Sequence, residues 1–158
     1  MNVVANNLKV KQAMFPPDCN LVSVQTELSW FKPVWNDAAC LHFTIFISTV
    51  YVDYVHGQRE VSKTARAHYV KALAILQQRL AGSDDELSTS DSTILVVIGL
   101  TQAATSLGDL ETALKHLTGL QKMVILRGGL SALERNRQLQ TKIYRQVGLC
   151  LAMYEYHY

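Results

Sequence analysis

The chain has 158 residues, of which 49% are apolar and 18% charged, and its net charge is +2. That length suits one domain with a real core, and the composition argues against a disordered chain. The charge balance is too small for a general nucleic-acid or membrane attraction. The low charged fraction predicts apolar surface that something outside the chain covers.

Residues 1–36 carry little periodic pattern and read as an irregular N-terminal arm. Phe15-Pro16-Pro17-Asp18 is a turn or extended stretch, because proline restricts itself and its predecessor. Ser29-Trp30-Phe31-Lys32-Pro33-Val34-Trp35 is aromatic and broken by Pro33. A short helix over 22–30 fits the pattern, and both tryptophans are expected to lie against the helices that follow.

Asp37 is a good N-cap for a first long helix over about 38–56, stopped near Gly57. The helix is apolar on nearly every side, which predicts a central, buried position. A strand competes over 43–52, but length favours a helix. The window is also near membrane-spanning length. His42, Asp53, Thr44, Ser48 and Thr49 favour a core helix over a membrane span. A second helix over about 62–80 has the stripe Ala65, Tyr69, Ala72, Leu73, Leu76 and Leu80, with Gly82 as its left-handed stop.

Ser83 to Ser90 is a polar, acidic loop. Ser90 or Asp91 caps a third helix over about 92–107, the second buried one, built on Ile94-Leu-Val-Val-Ile98. Gly108 stops it and Asp109 at once caps a fourth, over about 110–126, so the two form a tight helical hairpin. The fourth helix has the stripe Leu110, Ala113, Leu114, Leu117, Leu120, Gln121 and Val124. Arg127 lies in its last turn and Gly128-Gly129 ends it. A final helix over about 131–152 presents Leu133, Leu139, Ile143, Val147 and Leu151. The predicted fold class is all-α: antiparallel helical hairpins packed as a bundle or a short solenoid-like array.

The residues that could carry chemistry do not assemble into a motif. Cys19, Cys40 and Cys150 are odd in number, far apart and follow no secretory signal, so a reducing intracellular compartment is expected and no zinc site is proposed. The histidines at 42, 56, 68, 116 and 157 show no helical metal spacing, and satisfied or exposed side chains are expected. Cys40 and His42 face different directions, which argues against a nucleophile pair. There is no nucleophile elbow, phosphate loop or dinucleotide fingerprint. Residues 115–145 hold Lys115, Lys122, Arg127, Arg135, Arg137, Lys142 and Arg145 against one acid, Glu134. A solvated face with cations near helix C-termini is the expected reading, ahead of a phosphate or acidic partner. No catalytic residue, cofactor or metal is assigned, and an enzyme is the least favoured class.

Leu107-Gly-Asp-Leu-Glu-Thr-Ala-Leu114 looks like the inter-helix turn of a tetratricopeptide repeat, with small Ala113 allowing close approach. However, Ala72 to Ala113 is 41 residues, not the 34 of that repeat, and no third copy follows.

Three pieces resemble the fungal-specific transcription factor regulatory domain. They are His68-Tyr-Val-Lys-Ala-Leu-Ala-Ile-Leu-Gln-Gln-Arg-Leu80; Ser90-Asp-Ser-Thr-Ile94 with its apolar helix and Gly108-Asp109; and His116-Leu-Thr-Gly-Leu-Gln-Lys-Met-Val-Ile-Leu-Arg-Gly-Gly-Leu130. The resemblance spans roughly residues 30–144. It implies a helical regulatory domain over 37–145, nuclear, acting by helical packing against a protein partner or in a homodimer. Gly108, Asp109, His116, Gly119, Arg127, Gly128 and Gly129 are its structural motif, with Gly119 allowing the fourth helix to pack closely. The family's zinc cluster is missing, so no sequence-specific DNA binding is expected. No membrane association is expected either. The stretch 146–158 does not look like the family's continuation and reads as an atypical tail, from a truncated or mis-spliced gene. Two other readings stand beside this one: a tetratricopeptide-like scaffold that grips a peptide, and a sensor with a small-molecule effector held between the first and third helices by Phe43, Phe46, Ile94 and Val97.

Overall fold

A computed structural model describes residues 32–58 and 60–157. All contacts below lie within the unit that begins at Pro33. The expected turn at Phe15-Pro16-Pro17 and the short helix over 22–30 lie outside the described residues.

Helices carry the fold. They are α1 (Lys32–Asn36), α2 (Ala38–Val55), α3 (Lys63–Ala81), α4 (Asp85–Ser88), α5 (Asp91–Ser106), α6 (Leu110–Leu126), a 3-10 turn (Leu130–Leu133) and α7 (Arg137–His157). There is no strand among the described residues, so the 43–52 segment is helical. The protein is all-α: α2 packs on α3, α5 packs on α6, and α5 joins the pairs by touching α2 and α7.

The helix ends follow from local hydrogen bonding. Asp37, Ser62, Asp84, Ser90 and Asp109 each accept from the third amide after them, filling one of the free donors of a new helix. Three helices end alike. After α2, Gln58 N donates to Asp53 O at 2.9 Å and Gly57 N to Tyr54 O at 3.0 Å. The same crossed pair recurs after α5, from Asp109 to Ala104 and Gly108 to Thr105, and after α6, from Gly129 to Val124 and Gly128 to Ile125. This is the Schellman arrangement, and it needs a left-handed residue at the turn. Gly57, Gly108 and Gly128 supply it with φ of 76°, 75° and 105°. Gly82 does not: its φ is −74°, so α3 ends in extended backbone rather than a left-handed cap.

Four expectations about how the helices pack and where they start need correction. First, α2 is not central, because only Ala39, Cys40 and Phe43 of its 18 residues are buried. By length and composition it could cross a membrane, and its C-terminal half faces outward. The central helix is α5, with nine buried residues. Second, the inward position at the end of α3 belongs to Arg79, while Leu80 is half exposed. Third, α6 buries Met123 in place of Leu114 and Gln121. Fourth, the last helix starts at Arg137, after a 3-10 turn that seats Leu133. It runs through position 146 without a break, and its buried side is Leu139, Ile143, Gln146 and Cys150. Of the two tryptophans, Trp30 lies outside the described residues, and Trp35 on α1 is 73% exposed rather than packed.

Candidate functional site

The seven motif residues all fall on the α5–α6 hairpin and the turn after it. Gly108 and Asp109 make the connection between the two helices. Gly108 takes the left-handed turn, and Asp109 Oδ1 accepts from Thr112 N at 3.0 Å. That hydrogen bond from the Thr112 amide holds the Asp109 carboxyl below its usual range. With so short a connection, α6 folds straight back along α5. Ala104, Ala113 and Cys150 then meet in a small buried cluster, so Ala113 is indeed where the helices come close.

Gly119 does not contribute as the pattern implied. His116 is half-buried, and burial lowers its pKa against the opposing pull of Asp109. Gly119 faces open space, with nothing within 4 Å of where its side chain would start. It is not a close-packing glycine. Close approach is used instead at Gly99 on α5, where the Phe43 ring lies against the backbone.

Arg127 is the residue whose role the fold changes most. It caps the C-terminus of α6, and its guanidinium pairs with the Asp91 carboxylate. It also donates to Thr89 O at 3.1 Å. Asp91 in turn accepts from Asn136 Nδ2 at 2.7 Å. Asn136 Oδ1 accepts from Leu139 N at 3.0 Å, which caps α7. One carboxylate thus ties together the start of α5, the end of α6 and the start of α7. Arg127 is engaged within the protein and is not a cation held out for phosphate. Gly128 and Gly129 turn the chain toward Leu133. Gly129 has φ 85° and ψ −174°, a region essentially closed to residues with a Cβ. Gly129→Ala is therefore expected to lose about 2 kcal/mol in urea unfolding. Gly108→Asn should lose less, since asparagine tolerates the left-handed region.

A second polar junction was not legible in the sequence. Asp37, the cap of α2, pairs with Arg79 at 2.9 Å, and both side chains are nearly buried. Arg79 also donates to Thr93 Oγ1 at 3.3 Å. Burial raises the Asp37 pKa, but hydrogen bonds from Ser92, the Cys40 amide and Arg79, together with the Arg79 charge, hold the carboxyl below its usual range. Cys40 lies beside it with its thiol donating to Ser92 O at 3.2 Å. Burial and the Asp37 charge push that thiol up to about 12, so it is no nucleophile at neutral pH.

The apolar lining expected of a small-molecule sensor is core. Ile94 and Val97 are buried in the main cluster, and the Phe43 ring lies over Gly99. Phe46 fills the space between Phe43 and Tyr69, with ring centroids 5.9 and 4.8 Å away. Those side chains occupy the space themselves.

The histidines hold a pairing that spacing along one helix could not reveal. His42 on α2 and His68 on α3 meet across the hairpin, Nδ1 to Nδ1 at 2.9 Å. Cys40 points instead toward α5.

No known protein family, curated protein or solved structure matches the chain.

Proposed function

We propose that this chain is a regulatory module of the fungal-specific transcription factor type. In this reading it works in the nucleus through contact with a second copy of itself or another protein, and has no DNA-reading element of its own. The transcription part is supported by the sequence resemblance in the segments 68–80, 90–109 and 116–130. The interaction part is carried by one observation, the outward face of the C-terminal half of α2. Tyr51, Val52, Tyr54 and Val55 are all exposed there. At 100° per residue they cover one contiguous arc of the helix. Apolar surface grouped this way marks a contact surface more often than scattered exposed side chains do.

The test is sedimentation velocity on the purified chain over a range of concentrations. A reversible dimer is expected, and Val52→Glu with Val55→Glu should convert it to monomer by placing charge in the contact. A clean, soluble monomer at every concentration overturns the self-association reading. Co-sedimentation with lipid vesicles would reassign the same face to a membrane surface.

A further inference from the structure

We propose that His42 and His68 form a two-imidazole site for a divalent late transition-metal ion, set across the α2–α3 hairpin. The proposal goes beyond the regulatory reading and does not depend on it.

Geometry is the first support. The two Nδ1 atoms are 2.9 Å apart, and the rings are tilted by 51° with centroids 5.0 Å apart. An ion bonded to imidazole nitrogens at about 2.0–2.1 Å, with a right angle between the bonds, sets those nitrogens about 2.9 Å apart. A tetrahedral angle sets them only a few tenths of an ångström wider. The two nitrogens therefore already stand at the separation of two adjacent ligands. They stand on different helices, joined by a hairpin whose ends are fixed. Asp53 Oδ2 accepts from Ser62 N at 3.3 Å across the connection, and the Asp37–Arg79 pair ties the other end. A site held between two packed helices is better positioned than one on a loop.

Chemistry is the second support. Without metal, one Nδ1–H donates to the other ring's Nδ1 lone pair. With metal, both Nδ1 lone pairs face the ion, and the donor ring carries its proton on Nε2 instead. No proton is released when both rings start neutral. Burial, His68 and the Lys71 ammonium all lower the pKa of His42. Both histidines are half-exposed, so an ion can reach them. Among the described residues no third histidine, cysteine or carboxylate joins the pair, so water completes the coordination. Two ligands and a neighbouring ammonium set a modest affinity. Imidazole ligands and the stability order of divalent ions place Cu²⁺ first, with Ni²⁺ and Zn²⁺ weaker.

The experiment titrates the full chain with Cu²⁺ near pH 7.5, read by calorimetry and by electron paramagnetic resonance. One chelated ion per chain is expected, with a spectrum split by two equivalent-class nitrogens. His42→Ala and His68→Ala should each weaken that phase at least about tenfold, because either leaves a single-histidine site without chelation. The double variant, with neither imidazole left, should lose that phase altogether, and His56→Ala should change nothing. Bound ion should also raise the thermal midpoint of the wild type and not of the variants, by linkage. Either variant keeping the wild-type isotherm overturns the proposal. So does a wild-type spectrum with one nitrogen only, and that readout holds even if a variant fails to fold.

Discussion

Asp37→Ala is expected to lower the stability of the domain by about 3 kcal/mol, because it strands the nearly buried Arg79 guanidinium. The magnitude sits at the low end for a broken buried pair, since each side chain keeps a tenth or so of its exposure. Roughly 1 kcal/mol of it is the lost cap on the Cys40 amide. Asp37→Asn separates the two parts: it keeps an acceptor for the cap and removes the charge, so it should lose about 2 kcal/mol. Arg79→Met should resemble Asp37→Asn, and combining the two should cost less than their sum. Urea unfolding monitored by circular dichroism measures each, and losses below about 0.5 kcal/mol would show the junction to be neutral. The same pair sets an acid limit. The native Asp37 carboxyl titrates below its unfolded value of 3.8, so the unfolded chain binds more protons in that range. Its contribution is complete above about pH 4 and is lost as pH falls through the lower native value. Asp37→Asn should therefore flatten the acid side of the stability profile.

Gly99→Ala is expected to destabilise by about 1–2 kcal/mol, against the usual rule that alanine improves a helix interior by about 1 kcal/mol. A Cβ at this position of α5 would lie 2.2 Å from Phe43 Cε1 and 2.8 Å from its Cζ. The ring has little room to move, since Phe43 is buried and Phe46 packs beside it. The decisive measurement is the same substitution in a Phe43→Ala background. With the ring gone the clash disappears and only the propensity gain remains, so Gly99→Ala should then stabilise by up to about 1 kcal/mol. Phe43→Ala alone should lose about 3–5 kcal/mol. An effect of the same sign in both backgrounds would mean that Phe43 does not select glycine at 99.

These two sites, and the metal pair, share a reason for having escaped the sequence. Gly99 sits in an apolar run where a glycine looks incidental, and its meaning depends on a ring 56 positions earlier. Arg79 lies off the apolar stripe of α3 in sequence, and only the fold sets it against Asp37. His42 and His68 have no shared helical spacing, and only the α2–α3 crossing brings their nitrogens together. Arg127 stands at the C-cap of α6, one residue past the last turn expected for it, and its bond to Asp91 joins segments that have no sequence relation.

By itself the sequence determined where four of the helices begin and where three of them end. Asp37, Ser62, Ser90 and Asp109 cap, and Gly57, Gly108 and Gly128 stop, through hydrogen bonds that reach only three to five residues along the chain. It also determined the hairpin at Gly108-Asp109, because a turn that short leaves the next helix one direction to take. Only the tertiary structure decided which helix is central. Uniform apolarity in α2 carries no direction, so the pattern could not say that its neighbours cover Phe43, Phe46 and Ile47 but not Tyr51, Val52, Tyr54 and Val55. Burial is a property of what lies opposite, and that depends on how α5, α3 and α7 meet.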